Sequence, residues 1–129
     1  MSSSDRPSGQ GPESGSVDVR RLDSAISLLI PEGGLDGEHL ERVLRQSIES
    51  LLAEGVTGFV VDVRSFPMLD SSGLGALVAS HGAIADLGGV RLVLTGVGPS
   101  LHRALSRSML LQVLPVYETV ERAFAALRS

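Results

Sequence analysis

The stretch "FVVDVRSFPMLDSSGLGAL", residues 59–77, decides the fold. It opens with the apolar run Phe59 to Val63, which is rich in valine, and such a run is typical of a strand that is buried on both faces of a sheet. A loop containing Pro67 follows, and apolar residues then recur three or four positions apart, which predicts a helix. A strand that leads through a loop into a helix is typical of an α/β fold with parallel strands.

On the N-terminal side of this stretch, the pattern predicts a hairpin followed by a helix. Residues 17–22 and 25–30 have the composition and spacing of two strands joined by a short turn. Asp36 is suited to cap a helix that begins near Gly37 and ends near Gly55. Leucine, valine and isoleucine recur along this segment with helical spacing, so the helix is expected to bury one apolar stripe.

On the C-terminal side, strands and helices continue to alternate. The helix that begins in the quoted stretch is expected to end at Gly88-Gly89, with Leu87 on its apolar stripe. The remaining predicted elements are a strand over residues 90–95, a helix that starts near Pro99, a short strand over 113–116 and a helix over 118–127. The sequence therefore predicts one α/β domain over residues 17–128, with a mixed, mainly parallel sheet of four to five strands and about four helices.

Residues 1–16, "MSSSDRPSGQGPESGS", differ in composition from the rest of the chain. They contain serine, glycine and proline and almost no apolar side chain. Such a segment cannot bury enough apolar surface to offset the entropy lost on ordering. We therefore predict that residues 1–16 form a disordered tail.

The composition excludes several classes of function. Aromatic residues make up 3% of the 129 residues and the net charge is −4, which gives a poor platform for base stacking and little attraction for phosphate backbones. The chain has no cysteine, which excludes disulfides, thiolate catalysis and cysteine-bound zinc. The three histidines are far apart and form no ligand-spaced pair. We therefore predict no nucleic-acid partner, no metal and no cofactor.

The hydropathy pattern predicts no membrane partner. No apolar run approaches the roughly 20 residues that a membrane-spanning helix requires. The N-terminus also lacks the basic start and apolar stretch of a secretion signal. The expected location is the cytoplasm.

The residues Asp70-Ser71-Ser72-Gly73 fall at the predicted N-terminus of the motif helix, and two interpretations stay open. In the first, Asp70 and the serines only cap the helix, a contribution of about 1 kcal/mol. In the second, one serine is phosphorylated, because the partial positive charge at a helix N-terminus tolerates a phosphate group of nearly −2 charge. Gly73 and Gly75 remove side chains near this end, which would let a partner approach closely.

A family resemblance favours the second interpretation. The stretch "VVDVRSFPMLDSSGLGAL" resembles the signature of the STAS domain family, and specifically that of the bacterial anti-sigma factor antagonists. Three further stretches fit the family in order: "GGLDGEHLERVL", "LGGVRLVLTGVGPSLHRAL" and "VLPVYETVERAFAAL". The resemblance covers about residues 17–128.

The resemblance implies a regulatory role and names the residues that carry it. Such antagonists bind an anti-sigma factor that is also a serine kinase, and this binding frees a sigma factor for transcription. The kinase phosphorylates the serine that follows the aspartate, which is Ser71 here, and a serine phosphatase reverses the mark. Asp36 aligns with the aspartate of the family's Gly-x-Leu-Asp turn near that serine. The expected partner-binding residues are Asp36, Asp70, Ser71, Ser72, Gly73 and Gly75, together with the loop at residues 34–37.

Two other functions compete with this one. Catalysis by Ser71 would need a nucleophile elbow of the form Gly-x-Ser-x-Gly, which is absent, and neither His81 nor His102 has an evident orienting acid. The chain is therefore not expected to be an enzyme. The second alternative stays open: STAS-like domains also serve as scaffold parts of larger signalling or transport assemblies, in which the serine is not used.

Overall fold

An antiparallel hairpin opens the described part of the chain, as the sequence predicts. The computed structural model describes residues 17–129, so the predicted disorder of residues 1–16 lies outside the described residues. Strand β1 (Val17–Arg21) pairs with β2 (Ile26–Pro31). The Asp23 carboxylate closes the turn between them by accepting hydrogen bonds from the backbone N–H groups of Ala25 and Ile26, each at 2.8 Å.

Two parallel strands extend this hairpin into a four-stranded sheet. Strand β3 (Gly58–Asp62) pairs with β2, and β4 (Arg91–Thr95) pairs with β3, so the spatial order is β1-β2-β3-β4. Every residue of β3 is buried, which confirms the interpretation of the apolar run as a strand covered on both faces. The sheet is mixed and mainly parallel, as predicted.

Helices cover both faces of the sheet. Helices α1 (Gly37–Ala53), α2 (Ser71–Ala85) and α3 (Pro99–Arg107) lie on one face, where their leucine and isoleucine side chains pack against Phe59 and Val61. Helix α4 (Val120–Arg128) lies on the other face and packs against Val60. Neighbouring residues of β3 point to opposite faces, which is why one short strand supports both layers.

The predicted strand over residues 113–116 is wrong in extent. A turn of 3-10 helix over Leu110–Gln112 precedes it, and only Val116 forms a bridge, with Leu94 of β4. The backbone N–H of Leu94 donates to the carbonyl of Pro115 at 2.8 Å. Proline has no N–H group to return to a ladder, so this apolar segment makes a single bridge in place of a strand.

Helix α2 ends earlier than predicted. It stops at Ala85, and Leu87 is 53% exposed, so the expectation that Leu87 lies on the buried stripe is wrong. Gly88 and Gly89 have φ angles of +60° and +77°, a conformation that glycine adopts without steric cost. They form the turn that leads into β4 and not the end of the helix itself.

The topology collects three helix N-termini on one side of the molecule. Strands β2, β3 and β4 run parallel, and their carboxyl ends lead into α1, α2 and α3 respectively. We call this side the carboxyl edge. In open α/β sheets, ligands and partners bind at this edge because the connecting loops converge there.

Candidate functional site

Asp70 starts the motif helix by capping it. Its Oδ1 accepts a hydrogen bond from the backbone N–H of Gly73 at 2.9 Å, and its carbonyl oxygen accepts one from the N–H of Leu74 at 2.9 Å. This is the geometry of an aspartate N-cap, which satisfies one of the free N–H groups of the first turn. The capping role that the sequence indicates for Asp70 is confirmed, and Ser71 becomes the first residue of α2.

The two serines of the motif have different surroundings. The Ser72 hydroxyl donates to Oδ1 of Asp70 at 3.3 Å, so it belongs to the capping network. Both residues are exposed, but the Ser71 hydroxyl makes no hydrogen bond to another residue of the described part of the chain. Of the two hydroxyl groups, the one on Ser71 can therefore be reached without breaking a hydrogen bond to a described residue.

The N-termini of α1 and α2 are in direct contact at Gly37 and Ser72. A Cβ atom added to Gly37 would lie 2.6 Å from the carbonyl oxygen of Ser72, closer than real Cβ atoms approach. Only glycine fits at this position without a shift of the backbone. The contact holds the loop before α1 beside the motif and brings the two predicted parts of the site together.

Asp36 caps α1 in the same way that Asp70 caps α2. Its Oδ1 accepts hydrogen bonds from the backbone N–H and from Nδ1 of His39, both at 2.8 Å. The hydrogen bond from the His39 backbone, followed by that from its side chain, lowers the pKa of Asp36. Asp36 and Asp70 both line a shallow cleft of about 270 Å³ between the β2–α1 and β3–α2 loops.

Gly73 and Gly75, for which the sequence predicts the same role, have different surroundings. Gly73 is buried, and a Cβ there would lie 2.8 Å from Cδ2 of Leu69, so its small size is required by packing. Gly75 is exposed and a Cβ there would meet nothing within 4 Å. Gly82, two turns further along α2, is equally open. Of Gly73 and Gly75, only Gly75 therefore has open space where a side chain would lie.

Sequence reasoning missed two features beside the motif. Asp62, at the end of β3, is 2% exposed and forms an ion pair with Arg64, whose backbone N–H also donates to Oδ1 of Asp62 at 3.0 Å. An acidic residue inside the apolar run "FVVDV" is the signal that could have identified this pair. Met68, in the loop before α2, is 55% exposed and adds an apolar side chain beside the polar motif.

The described part of the chain contains no arrangement of side chains typical of a catalytic triad or a metal site. His81 is half-buried on α2 and His102 is exposed on α3, and neither forms a hydrogen bond with Ser71. Among residues 17–129, no group of three or more histidine, aspartate or glutamate side chains is placed to hold a metal ion. None of the helices within that range has the length and apolar character needed to cross a membrane.

Comparison with known proteins gives one consistent result. The family model of the STAS domain matches residues 17–123. A curated relative, the anti-sigma F factor antagonist of Paenibacillus polymyxa, is 28% identical over 95 residues, which cover 74% of this chain and 80% of the relative.

Solved structures share the fold at low sequence identity. An anti-sigma factor antagonist from Mycobacterium paratuberculosis is similar with a TM-score of 0.73 and 24% identity, over 92% of this chain and 98% of that one. The Bacillus cell fate determinant SpoIIAA in its phosphorylated form is similar with a TM-score of 0.63 and 18% identity, over 88% of this chain and all (100%) of that one. At these identities the likeness concerns the fold.

Proposed function

The chain belongs to the STAS domain family, and we propose that it acts as an anti-sigma factor antagonist. In this proposal it binds an anti-sigma factor that is also a serine kinase and thereby releases a sigma factor. Phosphorylation of Ser71 by that kinase ends the binding, and a serine phosphatase restores it. The Paenibacillus polymyxa relative, an anti-sigma F factor antagonist, supports the general role.

The observation that carries the proposal is the difference between the two serines. Both serines are exposed, but the Ser72 hydroxyl is held by Asp70 and its backbone lies against Gly37, while the Ser71 hydroxyl has no such partner among the described residues. A kinase must draw the acceptor hydroxyl into its own active site. Phosphorylation of Ser72 would also break the hydrogen bond to Asp70, whereas phosphorylation of Ser71 breaks no hydrogen bond to a described residue. This difference supports Ser71 as the acceptor.

The same position explains how phosphate would act without unfolding the domain. The first turn of α2 offers N–H groups without intrahelical acceptors and a partial positive charge, which favour a phosphate there. At the interface, a partner that accepts the neutral hydroxyl would have to bury a charge near −2. An unpaired buried charge costs several kcal/mol, so we expect phosphorylation to weaken binding by about a hundredfold or more.

A kinase reaction with matched serine variants tests the switch. The protein is incubated with ATP and the anti-sigma kinase recovered from the native cell, and the phosphosite is mapped by mass spectrometry. Ser72→Ala should remain a substrate, while Ser71→Ala should bind the kinase and resist phosphorylation. Ser71→Asp should fold but bind poorly. Phosphate on Ser72 alone, or equal binding by the modified and unmodified protein, would contradict the proposal.

A second pair of variants tests the position of the binding surface. Gly75 lies one turn from Ser71, and Gly82 lies about 10 Å further along α2. Both positions are exposed with open space around them. Gly75→Trp should weaken binding of the anti-sigma factor much more than Gly82→Trp, and neither variant should lower the thermal stability. Equal losses of affinity, or loss of folding in Gly75→Trp, would remove the argument for Gly75.

Recovery of partners from the native cell separates this function from the scaffold role. A small ATP-binding serine kinase is the expected partner of the antagonist. A large signalling or transport assembly recovered in place of the kinase, with Ser71 unmodified, would support the scaffold role.

A further inference from the structure

Within residues 17–129, strand β1 leaves one lateral edge of the sheet open. In the described residues β1 pairs only with β2, and at the opposite edge β4 is covered at Leu94 by its bridge to Val116. Val19, at the centre of β1, is 39% exposed. An open edge of this kind presents unpaired N–H and C=O groups and is a template for another strand.

The hydrogen bonding of the hairpin identifies which groups of β1 face outward. The backbone N–H of Leu22 donates to the carbonyl of Ile26 at 2.8 Å, directly beside the first pair of the ladder. Hydrogen-bonded pairs alternate along antiparallel strands, so Arg20 and Asp18 are the next residues that bond to β2. The residues between them direct their N–H and C=O groups away from the sheet: Val17, Val19 and Arg21.

The outward side of β1 is complementary to itself. If a second copy pairs antiparallel with Val19 opposite Val19, the outward groups of the two strands match in register. Asp18 of each copy then lies opposite Arg20 of the other, at the short separation of a non-hydrogen-bonded pair. Within one copy, Arg20 and Asp18 lie on the same face of the strand and form an ion pair of 2.9 Å. In the paired strands, Asp18 of each copy can form this ion pair with Arg20 of the other copy.

From this arrangement we propose that β1 is a homodimer interface, which joins the sheets of two copies through a symmetric β1–β1 pairing centred on Val19. Charged side chains on an edge strand usually prevent pairing with another strand. They do so most strongly when like charges lie directly opposite each other. Here the two signs are placed symmetrically about Val19, so a second copy of this chain is the partner that the charge pattern fits. This proposal does not depend on the function of Ser71.

The geometry also defines which surfaces of the two subunits stay exposed in such a dimer. Because β1 runs antiparallel to its copy, the carboxyl edges of the two subunits point in opposite directions, and both motifs stay uncovered. The contact is one short strand, so the dimer belongs to the small, transient class of interfaces and forms at high protein concentration.

Charge reversal provides a test with a built-in control. Sedimentation velocity of the full chain, up to about 1 mM, should show reversible dimerisation. Asp18→Arg and Arg20→Asp should each weaken self-association by about tenfold or more, because like charges then meet across the dyad. An equimolar mixture of these two variants should associate at least as well as the wild type, since a doubly acidic strand faces a doubly basic one. Arg107→Asp, on α3, should behave as the wild type.

The double variant Asp18→Arg/Arg20→Asp keeps both the strand's own ion pair and its self-complementarity, so it should dimerise like the wild type even if a single reversal folds poorly. Three results would each overturn the proposal. The first is a wild-type chain that stays monomeric at every concentration. The second is a dimer that both single reversals leave unchanged, which would place the interface elsewhere. The third is a mixture that associates no better than its separate components.

Discussion

Replacement of Gly37 by alanine should destabilise the domain, although alanine is the better helix former. Gly37 is the first residue of α1, and its Cα lies against the backbone of Ser72 at the start of α2. A Cβ at Gly37 would lie 2.5 Å from the carbonyl carbon and 2.6 Å from the carbonyl oxygen of Ser72. Carbon atoms pack best at about 3.5 to 4.0 Å, so the two helix ends would have to separate by about 1 Å.

The size of the effect follows from two opposing contributions. Overpacking of this kind costs about 1 to 3 kcal/mol. The gain from replacing a helical glycine is at most about 1 kcal/mol. Because the contacts would be as short as 2.5 Å, the cost lies in the upper part of this range, about 2 to 3 kcal/mol. We therefore expect Gly37→Ala to lower the free energy of unfolding by about 1 to 2 kcal/mol, which corresponds to a fall in Tm on the order of 5 to 10 °C.

Gly75→Ala is the matched control, because a Cβ there meets nothing within 4 Å. Without a clash, the only effect is the higher helix propensity of alanine compared with glycine. Gly75→Ala should therefore raise the free energy of unfolding by about 0.5 to 1 kcal/mol. Urea denaturation and thermal unfolding of both variants measure the difference. If Gly37→Ala is as stable as the wild type, the contact between the two helix ends is not close and this reasoning fails.

Three further predictions concern single side chains. Ser27→Ala should raise the free energy of unfolding by about 1 kcal/mol in denaturation experiments, because the buried Ser27 hydroxyl has no hydrogen-bond partner in the described structure; the control Ser80→Ala should lower it, since that buried hydroxyl donates to Ala76 at 3.0 Å. Asp23→Ala should cost about 1 to 2 kcal/mol through loss of its two hydrogen bonds to the hairpin turn, and an unchanged urea midpoint would contradict this. Asp36, with a lowered pKa, should contribute stability that is present above its unfolded pKa of 3.8 and is lost as the pH falls through the folded value. In an NMR titration His39→Ala should raise the pKa of Asp36 only in part, because the backbone hydrogen bond remains, and a wild-type value of 3.8 or higher would refute the assignment.

The sequence was sufficient to predict the elements whose residue pattern follows directly from their burial in the sheet. Every residue of β3 had to be apolar or paired because helices cover both of its faces, and this leaves a nearly continuous apolar run that local pattern can identify. The segment 113–116 is also apolar, but its state depends on how it meets β4. Pro115 can accept a hydrogen bond from Leu94 but cannot donate one. The apolar composition therefore favoured a strand, although the segment cannot form a continuous ladder with β4.

The site was predictable in its residues and not in their roles. Spacing placed both serines in the first turn of a helix, and only the resemblance to a family favoured Ser71. The reason is physical: whether a hydroxyl is held depends on the rotamer of Asp70. In the same way Gly73 and Gly75 look alike in sequence, because the neighbour that distinguishes them, Leu69, acts through packing.

The contacts beneath the motif support the proposed switch, in which a charge at Ser71 would change binding without changing the fold. Gly37 fixes the start of α1 against Ser72, and Gly73 fixes the first turn of α2 against Leu69. Both contacts involve the backbone of the motif and leave the side chain of Ser71 exposed. A phosphate on Ser71 therefore adds its charge to a surface whose supporting packing it does not touch. In the proposed switch the energetic consequence would fall on the partner that covers that surface, which is the property that a reversible switch requires.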